Sequence, residues 1–259
     1  MRKTLAVLAA LALVPLLAAP ASAAVKTKMI KFKSGEEEAS GFLAVPEGKG
    51  PFPAVVVIQE WWGLNDWIKE NARRFAEQGY VALAPDLYRG KVANDFRKAG
   101  ELMRGLPADR AVRDLKGAVT ALSAMDNVDK NRIGSIGWCM GGGYSLQLAL
   151  ADKRVTACAM CYGRVVTDAG KLKPLNATVL GIFGAEDRGI PPDQVRQFEK
   201  ALKGAGKKVE RVQIYDKAGH GFMRPGKTNP AYNEDAAKDA WKRIDAFFAK
   251  NLKKSGESR

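Results

Sequence analysis

The segment from Pro53 to Gln59, P-A-V-V-V-I-Q, is a continuous apolar run with β-branched residues at its centre. A run of this kind is typical of a strand that is buried on both faces, as in a parallel sheet. The pattern that follows predicts a helix over residues 66–78, capped by Asn65 or Asp66. A second strand is predicted at residues 80–84. The chain therefore contains a strand–helix–strand unit near its start.

The same alternation continues along the rest of the chain. Apolar periodicity predicts helices at 108–125, 140–151, 192–203 and 234–252, and strands at 133–138, 154–162, 177–184 and 209–215. Two earlier strands, 26–33 and 40–46, are predicted to form an opening antiparallel hairpin. Strands that alternate with helices indicate an α/β fold with a mostly parallel central sheet and helices on both faces.

The first 23 residues have the pattern of a secretory signal peptide. Arg2 and Lys3 precede the apolar stretch Leu5–Leu17, and residues 21–23, A-S-A, fit an A-x-A cleavage site. The apolar stretch is shorter than the ~20 residues that a membrane-spanning helix needs. We therefore expect export to the periplasm or the medium, no stable membrane anchor after cleavage, and a single domain over residues 24–259.

The chain carries a formal net charge of +14. Many of its basic residues lie near the C-terminal ends of predicted helices, where cations complement the helix dipole. This distribution favours a solvated basic surface, and attraction of anionic substrates is the alternative interpretation. Because no basic motif is interleaved with aromatic residues, we expect no nucleic-acid partner. We also expect a monomer that needs no metal or cofactor.

Three residues that can carry out nucleophilic catalysis follow predicted strands. Cys139 lies in G-W-C-M-G, which fits the pattern G-x-nucleophile-x-G, and Asp187 ends the segment G-A-E-D. His220 is the only histidine, so it is the only imidazole available for acid–base chemistry near neutral pH. The chain order Cys, Asp, His is that of the α/β-hydrolase fold, with Cys in place of Ser. The carboxyl ends of parallel strands share one edge, where we expect these side chains to meet.

Each of these residues has a non-catalytic alternative. Cys139 could be a buried cysteine at the end of a glycine-rich strand, and His220 could be a surface loop residue. Asp187 could cap the following helix, and Glu186 is the competing carboxylate.

Glu60 ends the apolar run that begins at Pro53 and precedes Trp61 and Trp62. Limited access of water at this position should raise its pKa, whereas a solvent-facing glutamate is the alternative. An oxyanion that forms beside Cys139 needs preorganised donors. The backbone N–H groups of Met140 and Trp61 are the candidates.

Cys158 and Cys161 form a C-x-x-C motif inside a predicted strand. Residues three apart in a strand point to opposite faces, so the spacing argues against a disulfide between them. We interpret them as core residues rather than as a redox pair. The chain has three cysteines, and an odd number in an exported protein predicts at least one free thiol.

Five segments together resemble the dienelactone hydrolase family of α/β hydrolases: Q-E-W-W-G, A-P-D-L-Y-R-G, G-W-C-M-G-G, G-A-E-D and A-G-H-G-F-M-R. The likeness covers nearly the whole chain after residue 23. It implies that Cys139 is the nucleophile, His220 the base and Asp187 the acid that orients the base. It also implies that Glu60 interacts with the resting Cys139 and helps to form the thiolate when substrate binds.

The resemblance also implies how a substrate carboxylate is held. Family members use one arginine after the D-L-Y segment and another four residues after the histidine. Arg224 matches the second position, whereas Arg89 follows Tyr88 one residue earlier than the family pattern has its arginine. With Trp62, these residues are the expected substrate-binding side chains.

We therefore expect a hydrolase that cleaves a small ester or lactone through a thioester intermediate, and whether the substrate is anionic stays open. The alternatives are an acyltransferase or thioesterase on the same scaffold and a non-catalytic ligand-binding protein.

Overall fold

The alternating apolar runs form an eight-stranded sheet in the computed structural model, which describes residues 24–226 and 229–254. The strands are β1 Val25–Ser34, β2 Glu37–Pro46, β3 Phe52–Ile58, β4 Val81–Pro85, β5 Val128–Trp138, β6 Val155–Cys161, β7 Thr178–Gly184 and β8 Val209–Tyr215. Their order across the sheet is β1-β2-β4-β3-β5-β6-β7-β8. β2 pairs antiparallel with both β1 and β4, and the other neighbouring pairs are parallel. The predicted signal peptide lies outside the described residues.

The helices are α1 Asp66–Glu77, α2 Phe96–Arg104, α3 Ala108–Ser123, α4 Met140–Ala151, α5 Ala169–Leu172, α6 Pro192–Gly204 and α7 Glu234–Leu252. Helices α1 and α7 cover one face of the sheet, and α3, α4 and α6 cover the other. The predicted α/β-hydrolase architecture, with its opening antiparallel hairpin and helices on both faces, is confirmed. In the described part of the chain, no helix combines the length and the apolar character that crossing a membrane requires.

Strand β3 shows why the sheet is rigid at the centre. Val55 and Val57 pack against the α1–α7 face, Val56 and Ile58 pack against the opposite face, and all four are fully buried. Burying one such side chain contributes roughly 1.5–3 kcal/mol. The end of β3 is therefore held firmly from both sides, as the apolar run predicts.

Helix α2 is an element that the sequence pattern did not predict. Asp95 caps it by accepting a hydrogen bond from the Lys98 N–H at 2.7 Å, and Gly105 follows its last residue. Only Ala99 and Gly100 of this helix are buried, so its sequence lacks the wide apolar stripe that marks a core helix. The helix lies instead beside a cavity at the edge of the sheet.

Candidate active site

Cys139 lies at the turn between β5 and α4. Its φ of 56° and ψ of −120° store backbone strain of the kind found at nucleophile elbows. The turn needs glycine on both sides. A Cβ on Gly137 would lie 2.1 Å from the carbonyl oxygen of Gly141, and a Cβ on Gly141 would lie 2.4 Å from that of Gln59. The G-x-Cys-x-G pattern thus forms the predicted strand–turn–helix unit, and it leaves Cys139 partly exposed.

Asp187 and His220 meet beyond the ends of β7 and β8. Oδ2 of the buried Asp187 lies 2.7 Å from Nδ1 of His220. Oδ1 accepts hydrogen bonds from the N–H groups of Gly189 at 2.9 Å and Ile190 at 3.1 Å. These bonds fix the carboxylate, which in turn fixes the orientation of the imidazole. Glu186, the competing carboxylate, is exposed.

The side chain of Cys139 interacts with the same imidazole. Burial lowers the pKa of His220, but hydrogen bonds with the side chains of Asp187 and Cys139 outweigh burial and raise it to about 10. Because Nδ1 is bonded to Asp187, Nε2 is the ring nitrogen left to face the sulfur. The structure therefore brings the three residues that the sequence singled out to one edge of the sheet.

The ring of Tyr162 packs against the imidazole of His220. The sequence pattern did not identify Tyr162 as a site residue. Its ring packs edge-on against His220, with ring centroids 5.3 Å apart, and it is fully buried. Its φ of 37° lies in the left-handed region, which a tyrosine rarely adopts. No periodicity or motif around residues 161–163, C-Y-G, predicts that conformation.

Glu60 is buried at the end of β3, as predicted. Burial raises its pKa to about 7, although the positive charges of Arg224 and His220 lower it in part. Arg224 Nη1 lies 3.7 Å from Glu60 Oε2, which is an ion-pair distance and too long for a hydrogen bond. The guanidinium of Arg224 also stacks on the ring of Trp62 at 4.9 Å from the centroid. Arg224 is thus the charged partner of Glu60, and Glu60 and Cys139 line the same cavity.

Two backbone N–H groups beside Cys139 are available to a ligand. Met140 is the first residue of α4, and Trp61 follows Glu60 in the loop after β3. Neither N–H donates to a backbone acceptor in residues 24–226 and 229–254. These are the two donors that the sequence predicts for an oxyanion.

A cavity of about 360 Å³ opens above these groups. Glu60, Trp61, Trp62, Cys139, His220 and Arg224 line it, together with Phe96 and Met103 from α2. Sequence analysis missed the last two because it missed α2, although Asp95 and Gly105 mark the ends of that helix. A groove of about 490 Å³ between α1 and α7 is larger, but it contains none of the candidate catalytic residues.

Arg89 and Tyr88 are not among the residues that line this cavity, so the structure does not bring these two expected substrate-binding side chains to it. Arg89 donates to both carboxylate oxygens of the buried Asp114 at 2.7 and 2.8 Å. That carboxylate on α3 holds the guanidinium away from Cys139. Tyr88 is buried, and its hydroxyl donates to Sδ of Met140 at 3.4 Å. Both residues line a separate pocket beneath α2.

Cys158 and Cys161 are fully buried and unbonded to each other, in agreement with the prediction of core residues. The carbonyl oxygen of Cys161 accepts a hydrogen bond from the Cys139 N–H at 3.0 Å, so β6 helps to position the elbow. Among the residues that the structure describes, no cluster of three or more His, Cys, Asp or Glu side chains is arranged to hold a metal ion.

Comparisons with known proteins show which family the chain belongs to. The model of the dienelactone hydrolase family matches residues 39–252. A protein of Methylorubrum extorquens, provisionally named carboxymethylenebutenolidase, is 35% identical over 80% of this chain and 75% of its own length. A relative of the same provisional name from Salmonella typhimurium is 32% identical over 90% of each chain.

A solved structure supports the same family assignment. The crystal structure of a provisionally assigned dienelactone hydrolase from Klebsiella pneumoniae superposes with a TM-score of 0.79 and 30% identity, covering 87% of this chain and 99% of that one. The chain belongs to the dienelactone hydrolase family and is a hydrolase with the α/β-hydrolase fold.

Proposed function

We propose that the protein hydrolyses a small ester or lactone through a Cys139-His220-Asp187 triad and a thioester intermediate. The observation that carries the proposal is the 2.7 Å contact between Asp187 Oδ2 and His220 Nδ1, with Cys139 on the other side of the imidazole. Family membership supports the reaction class, and the strained elbow supports Cys139 as the attacking group.

In the first half of the reaction, the Cys139 thiolate attacks the substrate carbonyl carbon. The N–H groups of Met140 and Trp61 donate to the oxyanion that develops. When the tetrahedral intermediate collapses, the carbon–oxygen bond of the ester breaks, and protonated His220 gives its proton to the departing alkoxide. The products of this half are an alcohol, a thioester on Cys139 and a neutral imidazole.

In the second half, neutral His220 removes a proton from a water molecule that attacks the thioester. Asp187 stabilises the imidazolium that forms and holds its tautomer. The second tetrahedral intermediate expels the Cys139 thiolate and releases the carboxylic acid. Thiolate and imidazolium are thereby restored together.

Glu60 has a separate role in the proposal. Its carboxylate is buried beside the cavity and has a pKa of about 7, so it can take up a proton at neutral pH. Following the family resemblance, we assign to it a part in forming the thiolate: in enzyme molecules whose Cys139 is still a thiol, the Glu60 carboxylate accepts the thiol proton and passes it to solvent. This makes Glu60 an accessory base for the nucleophile.

The proposal is tested by hydrolysis of 4-nitrophenyl acetate and of a small unsaturated lactone with purified protein, with and without added methanol. Turnover that is lost on Cys139 alkylation supports the triad. Faster nitrophenol release together with methyl acetate formation would instead indicate an acyltransferase. No turnover by a folded protein with a reactive Cys139 would favour a ligand-binding protein. Export remains a separate proposal, supported by the pattern of residues 1–23.

A further inference from the structure

We propose that Asn229 is a positioning residue of the active site. It holds the His220 turn, residues 220–224, which carries His220 at its start and Arg224 at its end. The inference rests on the proposed function, because it concerns the imidazole that serves Cys139. It gives a role to a residue that lies outside the five segments that resemble the family.

The first observation is that the side-chain amide of Asn229 is bonded to this turn at two points. Its Nδ2 donates to the carbonyl oxygen of Gly221 at 3.1 Å and to that of Arg224 at 2.7 Å. Its Oδ1 accepts a hydrogen bond from the N–H of Ala231 at 3.2 Å, which holds the amide in one orientation. The amide therefore links the residue after His220 to the residue that ends the turn.

The second observation is that the His220 turn lies between β8 and α7 and belongs to neither. Backbone carbonyl groups in such a segment need hydrogen-bond partners from outside the regular elements. Gly221 has a φ of 81°, which glycine adopts without strain, and its carbonyl oxygen also accepts from the Arg224 N–H at 3.1 Å. The fully buried Phe222 packs on Tyr162, with ring centroids 5.5 Å apart. Phe222 thus fixes the turn to the core, and Asn229 fixes it to the segment before α7.

The third observation is that both ends of the turn carry side chains of the active site. At its start, the ring of His220 interacts with Cys139 while Nδ1 stays bonded to Asp187. At its end, Arg224 pairs with Glu60 and lines the same cavity. Asp187 sets the rotation of the ring, whereas the turn sets where its backbone lies. A displacement of about 1 Å at a catalytic group can lower a rate by about 10²-fold, so the turn has to be held.

Asn229 also lines the cavity, so contact with substrate is the alternative role. A side-chain amide has two N–H donors, and the carbonyl oxygens of Gly221 and Arg224 take both. Its oxygen is engaged by the N–H of Ala231. The amide therefore acts on the reaction through the turn rather than through the substrate.

Two substitutions remove the donors in different ways. Asn229→Asp keeps the shape and an oxygen for the Ala231 N–H, and Asn229→Ala removes the amide without adding charge. In both, we expect kcat for 4-nitrophenyl acetate to fall about 10- to 100-fold. The fall in kcat/KM should be smaller, because 4-nitrophenolate leaves without a proton, whereas the attacking water must give one to His220.

The matched control is Asn176→Ala. Asn176 is an exposed asparagine whose amide donates to the carbonyl oxygen of Lys153 at 3.2 Å, and it does not line the cavity. Its kcat should stay within about twofold of the parent. Loss of folding would lower kcat and kcat/KM by the same factor, because it reduces only the number of active molecules. Equal losses in the two constants, or kcat within about twofold of the parent in Asn229→Ala, would overturn the proposal.

Two alkylating reagents test the other end of the turn without any need for turnover. Iodoacetate and iodoacetamide react with the same Cys139 sulfur and differ in charge, so the ratio of their rate constants reports how close the Arg224 guanidinium lies. We expect Asn229→Ala to lower the ratio of iodoacetate to iodoacetamide by about two- to fivefold, and Asn176→Ala to leave it unchanged. An unchanged ratio in Asn229→Ala would overturn the part of the proposal that concerns Arg224.

The two levels fail in different ways. If acetate hydrolysis survives complete alkylation of Cys139, the proposed function is wrong, and the alkylation ratio still reports on Asn229. If acetate hydrolysis depends on Cys139 but both Asn229 variants keep the kcat of the parent, only the positioning role is wrong.

Discussion

Two cysteines, one just after β5 and one within the neighbouring strand β6, have opposite environments. Cys139 follows β5 at a strained turn, is partly exposed and shares a hydrogen bond with His220. Cys158 lies within β6, is fully buried and has its sulfur 3.4 Å from the hydroxyl of Ser145. Burial raises the pKa of Cys158 to about 11, although hydrogen bonds from Ser145 and Ser135 lower it in part.

The comparison shows that placement rather than residue type decides what a thiol can do. Cys139 directly follows β5, Cys158 lies in the neighbouring parallel strand β6, and both are free cysteines. Cys139 differs because a turn with positive φ lifts it beyond the strand end, to the start of a helix and next to the only imidazole. Cys158 behaves as a small apolar residue of the core.

The largest expected difference between the two cysteines is in the turnover of their alanine variants. Cys139→Ala should lower kcat/KM for 4-nitrophenyl acetate by about 10³-fold or more, because the covalent route needs the sulfur. Cys158→Ala, the matched control, should stay within about twofold of the parent, because it touches no reacting group. Retention of activity within about tenfold in Cys139→Ala would remove Cys139 from the mechanism.

A smaller but still large effect is expected at the carboxylate that orients the imidazole. Asp187→Asn should lower kcat by about 10²–10⁴-fold, because an amide cannot stabilise the imidazolium in the same way. The control is Glu186→Gln, which changes an exposed carboxylate next to it in sequence and should stay within about twofold. Similar losses in both variants would mean that the charge of the loop, rather than the Asp187–His220 contact, matters.

The pH dependence of thiol alkylation sharpens the comparison further. Glu60 has a pKa of about 7, so it is mainly protonated below pH 7 and ionises as the pH rises through 7. If ionised Glu60 takes the thiol proton, iodoacetamide should label Cys139 faster as the pH passes 7, and Glu60→Gln should flatten this rise and reduce labelling about three- to tenfold at pH 7.5.

Cys158 serves as the internal reference in that experiment, because it should stay unlabelled at every pH at which the protein is folded. A Cys139 labelling profile identical in the parent and in Glu60→Gln would return Glu60 to a purely structural role.

The smallest expected effect is on stability, and here the order of the two cysteines reverses. Cys158→Ala should lower the free energy of unfolding by ~1–2 kcal/mol, because it removes a buried side chain from a packed core. Cys139→Ala should cost less, since Cys139 is partly exposed. Urea denaturation of both variants measures the difference. A larger loss in Cys139→Ala would show that the elbow contributes more to folding than the core cysteine does.

Most strands and helices of the fold could be predicted from the sequence, because the sequence signals for them are local. The apolar run from Pro53 to Gln59 predicted β3, and the glycines around Cys139 predicted the elbow. Each prediction rests on residues close together in the chain: an apolar pattern for the strand, and the need for small residues at the turn for the elbow. The meeting of Cys139, Asp187 and His220 could be predicted because the ends of parallel strands share one edge. Membership of the α/β-hydrolase class therefore needed no long-range information.

What the sequence did not predict depends on partners distant in the chain. Arg89 looked like a cavity residue, but Asp114, on a helix 25 positions later, holds it elsewhere. Tyr162 adopts a positive φ that only its surroundings can impose. Phe96 belongs to a helix whose apolar surface faces a cavity instead of the core, so core-type periodicity gives no signal for it.

The most direct test of the account is the relation between activity and labelling at Cys139. Purified protein would be titrated with substoichiometric iodoacetamide, and at each point the remaining 4-nitrophenyl acetate hydrolysis would be compared with the fraction of Cys139 alkylated, determined by peptide mass spectrometry. The account predicts that activity falls in direct proportion to labelling of Cys139, while Cys158 and Cys161 stay unmodified. Full activity with Cys139 alkylated, or loss of activity that follows another residue, would contradict it.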